Sequence, residues 1–107
     1  MGKFRLGQSK EDVKGMLPEG NIKVTQLGAK KLCVVRLGEK VYAFEQLCPH
    51  RGAALKDGHI NRFEEVICPL HSYRFNMNTG QLTSGGGCGD LEVYKTNLTE
   101  EGLEIFV

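Results

Sequence analysis

The chain has 107 residues, 14 basic and 13 acidic, for a formal charge of +1. That balance argues against a nucleic-acid binder relying on broad electrostatics, and no apolar run approaches the roughly 20 residues of a membrane-spanning helix. The length suits one domain over residues 1–107, burying a little over roughly 60% of its unfolded surface.

The stretch Met1 to Lys14 is polar and mixed in charge, without the apolar segment of a secretory signal. A soluble, cytoplasmic protein with reduced thiols is therefore expected, with no membrane or nucleic-acid partner. Within this stretch Ser9-Lys10-Glu11-Asp12 reads as a helix start, Ser9 capping and Asp12 near a capping-box position. Gly15 and Pro18 keep any such helix short.

From Asn21 the texture changes to strands. Ile22, Val24 and Gln26 alternate with Lys23, Thr25 and Leu27, and Gly28-Ala29-Lys30 reads as a turn. Lys31 to Leu37 is rich in apolar and β-branched residues, Gly38-Glu39-Lys40 turns again, and Val41 to Leu47 forms a third strand. Strands joined by short glycine-containing links imply an antiparallel meander.

Cys48-Pro49-His50-Arg51-Gly52 follows at once. Beyond the turn Lys56-Asp57-Gly58, a short strand from Glu64 delivers Cys68-Pro69-Leu70-His71-Ser72. Tyr73 to Asn76 is a further strand, closed by Asn78-Thr79-Gly80. Gly85-Gly86-Gly87-Cys88-Gly89 must be irregular backbone. Leu91 to Thr96 and Leu103 to Val107 are the last strands, joined through Thr99-Glu100-Glu101-Gly102. The fold class expected is all-β, with the two Cys/His stretches on loops.

Each of those stretches supplies a thiol and an imidazole, and 17 residues separate His50 from Cys68. A lone Cys is usually a small buried hydrophobe. Four soft and borderline donors in two clusters form a ligand set for iron, zinc or copper. Tetrahedral zinc accepts two Cys and two His, so a zinc-stabilised interaction module is one reading. A 2Fe–2S cluster, which needs four terminal ligands, is the other.

Cys48-x-His50, the gap of 17, and Cys68-x-x-His71 resemble the Rieske family. Gly52, Tyr73, Phe75 and Gly80 extend the match. The resemblance implies the Rieske iron–sulfur fold, an antiparallel β-sandwich of small sheets with two cluster-binding loops. It also implies one 2Fe–2S cluster per chain, with Cys48 and Cys68 on the inner iron and His50 and His71 on the outer. Two neutral imidazoles in place of two thiolates raise the potential to roughly −150 to +300 mV, against about −400 mV in plant-type ferredoxins.

High-potential members of the family carry an additional Cys in each loop, paired as a disulfide. Ala53 and Leu70 stand there in this chain, and Tyr73 stands where those proteins place a serine hydroxyl. Fewer hydrogen bonds to sulfur stabilise the reduced state less, so the lower part of the range is expected. The family's third, Pro-rich loop is replaced by Gly85 to Gly89. Cys33 reads as core, Cys88 as a small loop residue near the cluster, and His59 as a turn or strand-start residue. Arg51, Lys56, Arg62 and Arg74 read as solvated surface charge.

Only three His are present, too few for a second, mononuclear iron site, and no Gly-x-Gly-x-x-Gly pattern signals a nicotinamide or flavin. The chain is therefore expected to be an electron carrier and not an enzyme on its own. As a Rieske-type ferredoxin it would take electrons from a flavin reductase and pass them to an aromatic-ring oxygenase. The alternative of the same chemistry is a small subunit of an assimilatory nitrite reductase.

Overall fold

Short glycine turns and β-branched runs set the architecture. The computed structural model describes residues 2–70 and 72–107. In chain order its elements are β1 (Lys3–Leu6), α1 (Lys10–Met16), β2 (Lys23–Leu27), β3 (Lys30–Leu37), β4 (Lys40–Glu45), a 3-10 turn at Leu55–Asp57, β5 (His59–Ile60), β6 (Glu65–Ile67), β7 (Arg74–Asn76), β8 (Leu82–Ser84), β9 (Val93–Thr99) and β10 (Gly102–Phe106). They form two antiparallel sheets, β1-β10-β9-β4-β3-β2 and β5-β6-β7-β8.

The meander β2-β3-β4 closes as its turns require. Leu27 pairs with Lys30 and Leu37 with Lys40, leaving Gly28-Ala29 and Gly38-Glu39 as two-residue loops. Gly28 and Gly38 both sit at φ 64°, the left-handed geometry such loops need and a side chain resists. In α1, the Ser9 hydroxyl accepts from the Asp12 amide at 3.0 Å, as a capping residue should. The Asp12 carboxylate reaches back to the Gln8 amide at 2.9 Å.

The continuous apolar run of β3 follows from burial on both faces. Leu32 and Val34 point into a core with Val13, Leu17, Leu27, Val41, Ala43, Leu103 and Ile105. Cys33 and Val35 point the other way, towards Tyr42, Phe44, Cys48, Leu55, Val66, Cys68, Phe75 and Met77. The first core lies under α1 and the second lies between the sheets. The four-stranded sheet thus stands on one face of the six-stranded sheet and raises the two Cys/His loops beyond it.

Several boundaries differ from the sequence expectation. β4 ends at Glu45 rather than Leu47, because Leu47 leaves the sheet to bridge Ala54 across the first loop. β9 starts at Val93 because Leu91 is pulled inward, buried and with its amide on the Gly80 carbonyl at 2.8 Å. β1, β5 and β8 have no counterpart in the sequence expectation; His59, read as a turn or strand-start residue, opens β5. The register between β7 and β8 shifts at Arg74/Phe75, a bulge that redirects the chain leading to the Gly85–Gly89 segment.

Candidate metal centre

The two Cys/His loops are built on one backbone plan. In each, the cysteine amide bonds the carbonyl five residues on: Cys48 to Ala53 at 2.8 Å, and Cys68 to Tyr73 at 2.7 Å. In each, proline follows the cysteine, with its fixed φ and no N–H. The next amide then turns onto the sulfur. The His50 amide bonds the Cys48 sulfur, joined by that of Arg51, and the Leu70 amide lies 3.4 Å from the Cys68 sulfur. The loops differ in where the imidazole falls, two residues after Cys48 but three after Cys68.

Each loop is anchored from below. Leu55, fully buried, follows the first loop and bonds its amide to the Gln46 carbonyl at 3.0 Å. β6 and β7 hold the second loop between them, pairing Ile67 with Arg74 and Val66 with the fully buried Phe75. Ser72 takes a left-handed φ of 57°, a conformation uncommon for serine, and so brings Tyr73 back towards the cysteine amide.

The loops bring Cys48 and Cys68 together. Both are buried in the core between the sheets, near enough for the Cys68 thiol to act on that of Cys48. Burial pushes the Cys48 thiol up. All four cysteines are free. The Nδ1 of His50 is buried, and its ring stacks on Tyr73 with centroids 3.8 Å apart and planes within 10°. His71 lies outside the described residues. Among the described residues, no three or more of His, Cys, Asp and Glu gather as they would around one metal ion.

This donor set fits a metal group held by thiolates and imidazoles. Two buried sulfurs lie near one another, each has a backbone amide turned towards it, and an imidazole nitrogen of His50 is buried.

The remaining sequence candidates fall into place around it. Cys33 is fully buried in β3, and burial raises its thiol to about 11. Cys88 is half-buried, packs against the core that holds Cys48 and Cys68, and is raised first by burial and then by the Cys48 and Asp90 charges. Arg51, Lys56, Arg62 and Arg74 are all exposed. The contacts of Tyr73 were not foreseen from sequence; an aromatic so near a candidate ligand was the available signal.

This fold and this pair of loops define an iron–sulfur domain of the Rieske type. The Rieske [2Fe-2S] domain family matches residues 8–95, and the chain belongs to that family.

Among curated relatives, the ferredoxin component of the naphthalene 1,2-dioxygenase/salicylate 5-hydroxylase systems of Ralstonia sp is 28% identical over 82 residues. The match covers 77% of this chain and 78% of the relative. Among solved structures, the ferredoxin of carbazole 1,9a-dioxygenase from Nocardioides aromaticivorans IC177 superimposes with a TM-score of 0.84 at 25% identity, covering 99% of this chain and 98% of that one. A structure named for the small subunit of an NADH-dependent nitrite reductase from Mycobacterium tuberculosis has a TM-score of 0.79 at 18% identity, covering 97% and 93%; that likeness is one of fold alone. Among the described residues, no helix is long and apolar enough to cross a membrane.

Proposed function

We propose that this protein is a one-electron carrier whose 2Fe–2S cluster is held by Cys48, Cys68, His50 and His71. The observation that carries the reading is a pair of cysteine loops built on one backbone plan, with Cys48 and Cys68 buried in the same core at their bases, in a chain of the Rieske family. When bound, the cluster supplies a single reversible electron at a potential set by its ligands, its hydrogen bonds and its exposure.

The chain's own residues do the rest. The amides of His50, Arg51 and Leu70 stabilise charge on the two sulfurs. Val66, Phe75 and Leu55 close the inner side of the site to water. The outer side lies on surface loops, where a partner can approach.

The donor is a flavin reductase, and the acceptor is a terminal oxygenase of the class served by the dioxygenase ferredoxins that this chain resembles. Such encounters use small interfaces, often under about 1,200 Å². The protein acts in the cytoplasm, as one domain over residues 1–107.

The test is direct. Protein purified without oxygen should be brown, contain iron and acid-labile sulfide at two of each per chain, and give an EPR signal on reduction. It should relay electrons from an NADH-dependent flavin reductase to a Rieske oxygenase. Cys48→Ser or Cys68→Ser should remove the cluster. A colourless protein with one zinc per chain would sink the redox reading in favour of a zinc-stabilised interaction module.

A second reading, the small subunit of a nitrite reductase, draws on the fold likeness and length alone. Co-purification as a stable complex with a large sirohaem-containing chain would establish it in place of the oxygenase reading.

A further inference from the structure

Three segments far apart in sequence meet on the ring of Tyr73. Its ring stacks on His50 at 3.8 Å. Its hydroxyl donates to the Gly86 carbonyl at 2.6 Å. Gly85 lies flat against the same ring: a Cβ there would stand 2.6–2.8 Å from Cδ2, Cε2 and Cγ of Tyr73. Gly85 also adopts φ 123°, open to glycine and strained for other residues.

Beyond Gly85 the segment is loosely packed. Gly86, Gly87 and Gly89 have nothing within 4 Å of where a Cβ would stand. A glycine run loses more conformational freedom on being fixed than any other sequence. A tyrosine offers a broad rigid face and a polar tip at the cost of only two side-chain torsions. The stack, the close approach of Gly85 and the Gly86 bond therefore act as one tether. It joins the first cysteine loop, the second cysteine loop and the glycine segment.

We propose that Tyr73 is a positioning residue that latches the Gly85–Gly89 segment beside His50 and so limits water's access to the metal centre. The proposal rests on the reading of His50 as a ligand. A cluster with two thiolates and two neutral imidazoles is neutral when oxidised and carries one negative charge when reduced. Water stabilises the charged state more than the neutral one. Opening the latch therefore favours the reduced state and raises the midpoint potential.

The experiment compares the wild-type protein, as purified, with Tyr73→Phe and Tyr73→Leu. Alkylation of Cys88, which lies half-buried inside the segment, is followed by mass spectrometry and midpoint potential by titration. Tyr73→Phe keeps the stack and loses the Gly86 bond, so Cys88 should label about fivefold faster, the value of one hydrogen bond. Its midpoint should stay near wild type. Tyr73→Leu loses both contacts, so Cys88 should label faster still and the midpoint should rise, while the fully buried Cys33 stays as protected as in wild type.

Gly85→Ala, which pushes the ring away, should reproduce the Leu pattern and serves if Tyr73→Leu does not fold. Unchanged labelling of Cys88 in Tyr73→Leu overturns the latch. A freed segment with an unmoved or lowered midpoint overturns its role in excluding water. A protein without an iron–sulfur group overturns the ligand reading beneath it, and the labelling result then still decides the latch.

Discussion

Gly58 offers a test of how the fold positions the second cysteine. It follows the 3-10 turn and precedes β5, and an added Cβ would stand 2.1 Å from the carbonyl oxygen of Ile67. Ile67 immediately precedes Cys68. In Gly58→Ala the two backbones must separate by about 1 Å, because a Cβ essentially never comes within 3.0 Å of another heavy atom. Forcing such a group into a packed site costs about 1–3 kcal/mol.

β5 and β6 are joined by only two residue pairs, His59–Ile67 and Ile60–Val66. The strain will fall there and break at least one ladder bond, adding about 0.5–1.5 kcal/mol. The expected loss is therefore about 2–4 kcal/mol, a fall in Tm of at least about 8 °C, with reduced iron per chain because Cys68 moves with Ile67. Circular dichroism melts and iron analysis are the assay. Gly89→Ala, with nothing within 4 Å, is the control and should stay within about 0.5 kcal/mol of wild type. A Gly58→Ala protein as stable as that control, with full iron, would refute the reasoning.

At the helix, Ser9→Ala should cost about 1 kcal/mol through loss of the cap. Gly15→Ala, which meets nothing within 4 Å, should stabilise by up to about 1 kcal/mol; denaturant midpoints check both. Glu64 is held down to about 2 by the Tyr42 hydroxyl, the Asn78 amide and the Lys40 ammonium. Its folded-state pKa lies below the ordinary 4.5, so its contribution is complete above about pH 4.5 and disappears as pH falls towards 2. Glu64→Gln should flatten that part of the acid-denaturation curve, leaving the Glu39 share, which Lys14 and Lys10 create. Native alkylation at neutral pH should label the half-buried Cys88 and spare Cys33, whose thiol burial raises to about 11; labelling of Cys33 at the rate of the unfolded chain would contradict its burial. Potentiometric titration should give a midpoint below about 0 mV, and a clearly positive value would show that the absence of those cysteines and that serine does not set the potential.

The readable parts of this chain were those set by local chemistry. Gly28 and Gly38 announce their turns because few other residues tolerate that backbone, and Ser9 announces its cap because its hydroxyl bonds three residues on. Cys48, His50, Cys68 and His71 stand out because donor type and spacing together are hard to meet by chance.

What was not legible depends on distant partners. β1 has only four residues, with Phe4 and Leu6 half-buried, and is a strand because β10, about a hundred residues on, pairs with it. β8 is three residues beside a bulge. Leu91 leaves its strand for a hydrogen bond to Gly80. The stack of Tyr73 on His50 likewise needs the left-handed turn at Ser72 and the approach of two loops, neither of which has a local signature.

Cys33 and Val34 are neighbours in β3 yet belong to different cores. The central strands thus act as a party wall with one tenant on each side. Substitutions on the α1 side, such as Val34→Ala, draw down stability while leaving the walls of the electron site in place. Substitutions on the other side reach stability and the metal centre together, because Leu55, Val66 and Phe75 share one core with Cys48 and Cys68. A domain divided this way keeps one core in which thermal tolerance can change while the metal centre is left as it is.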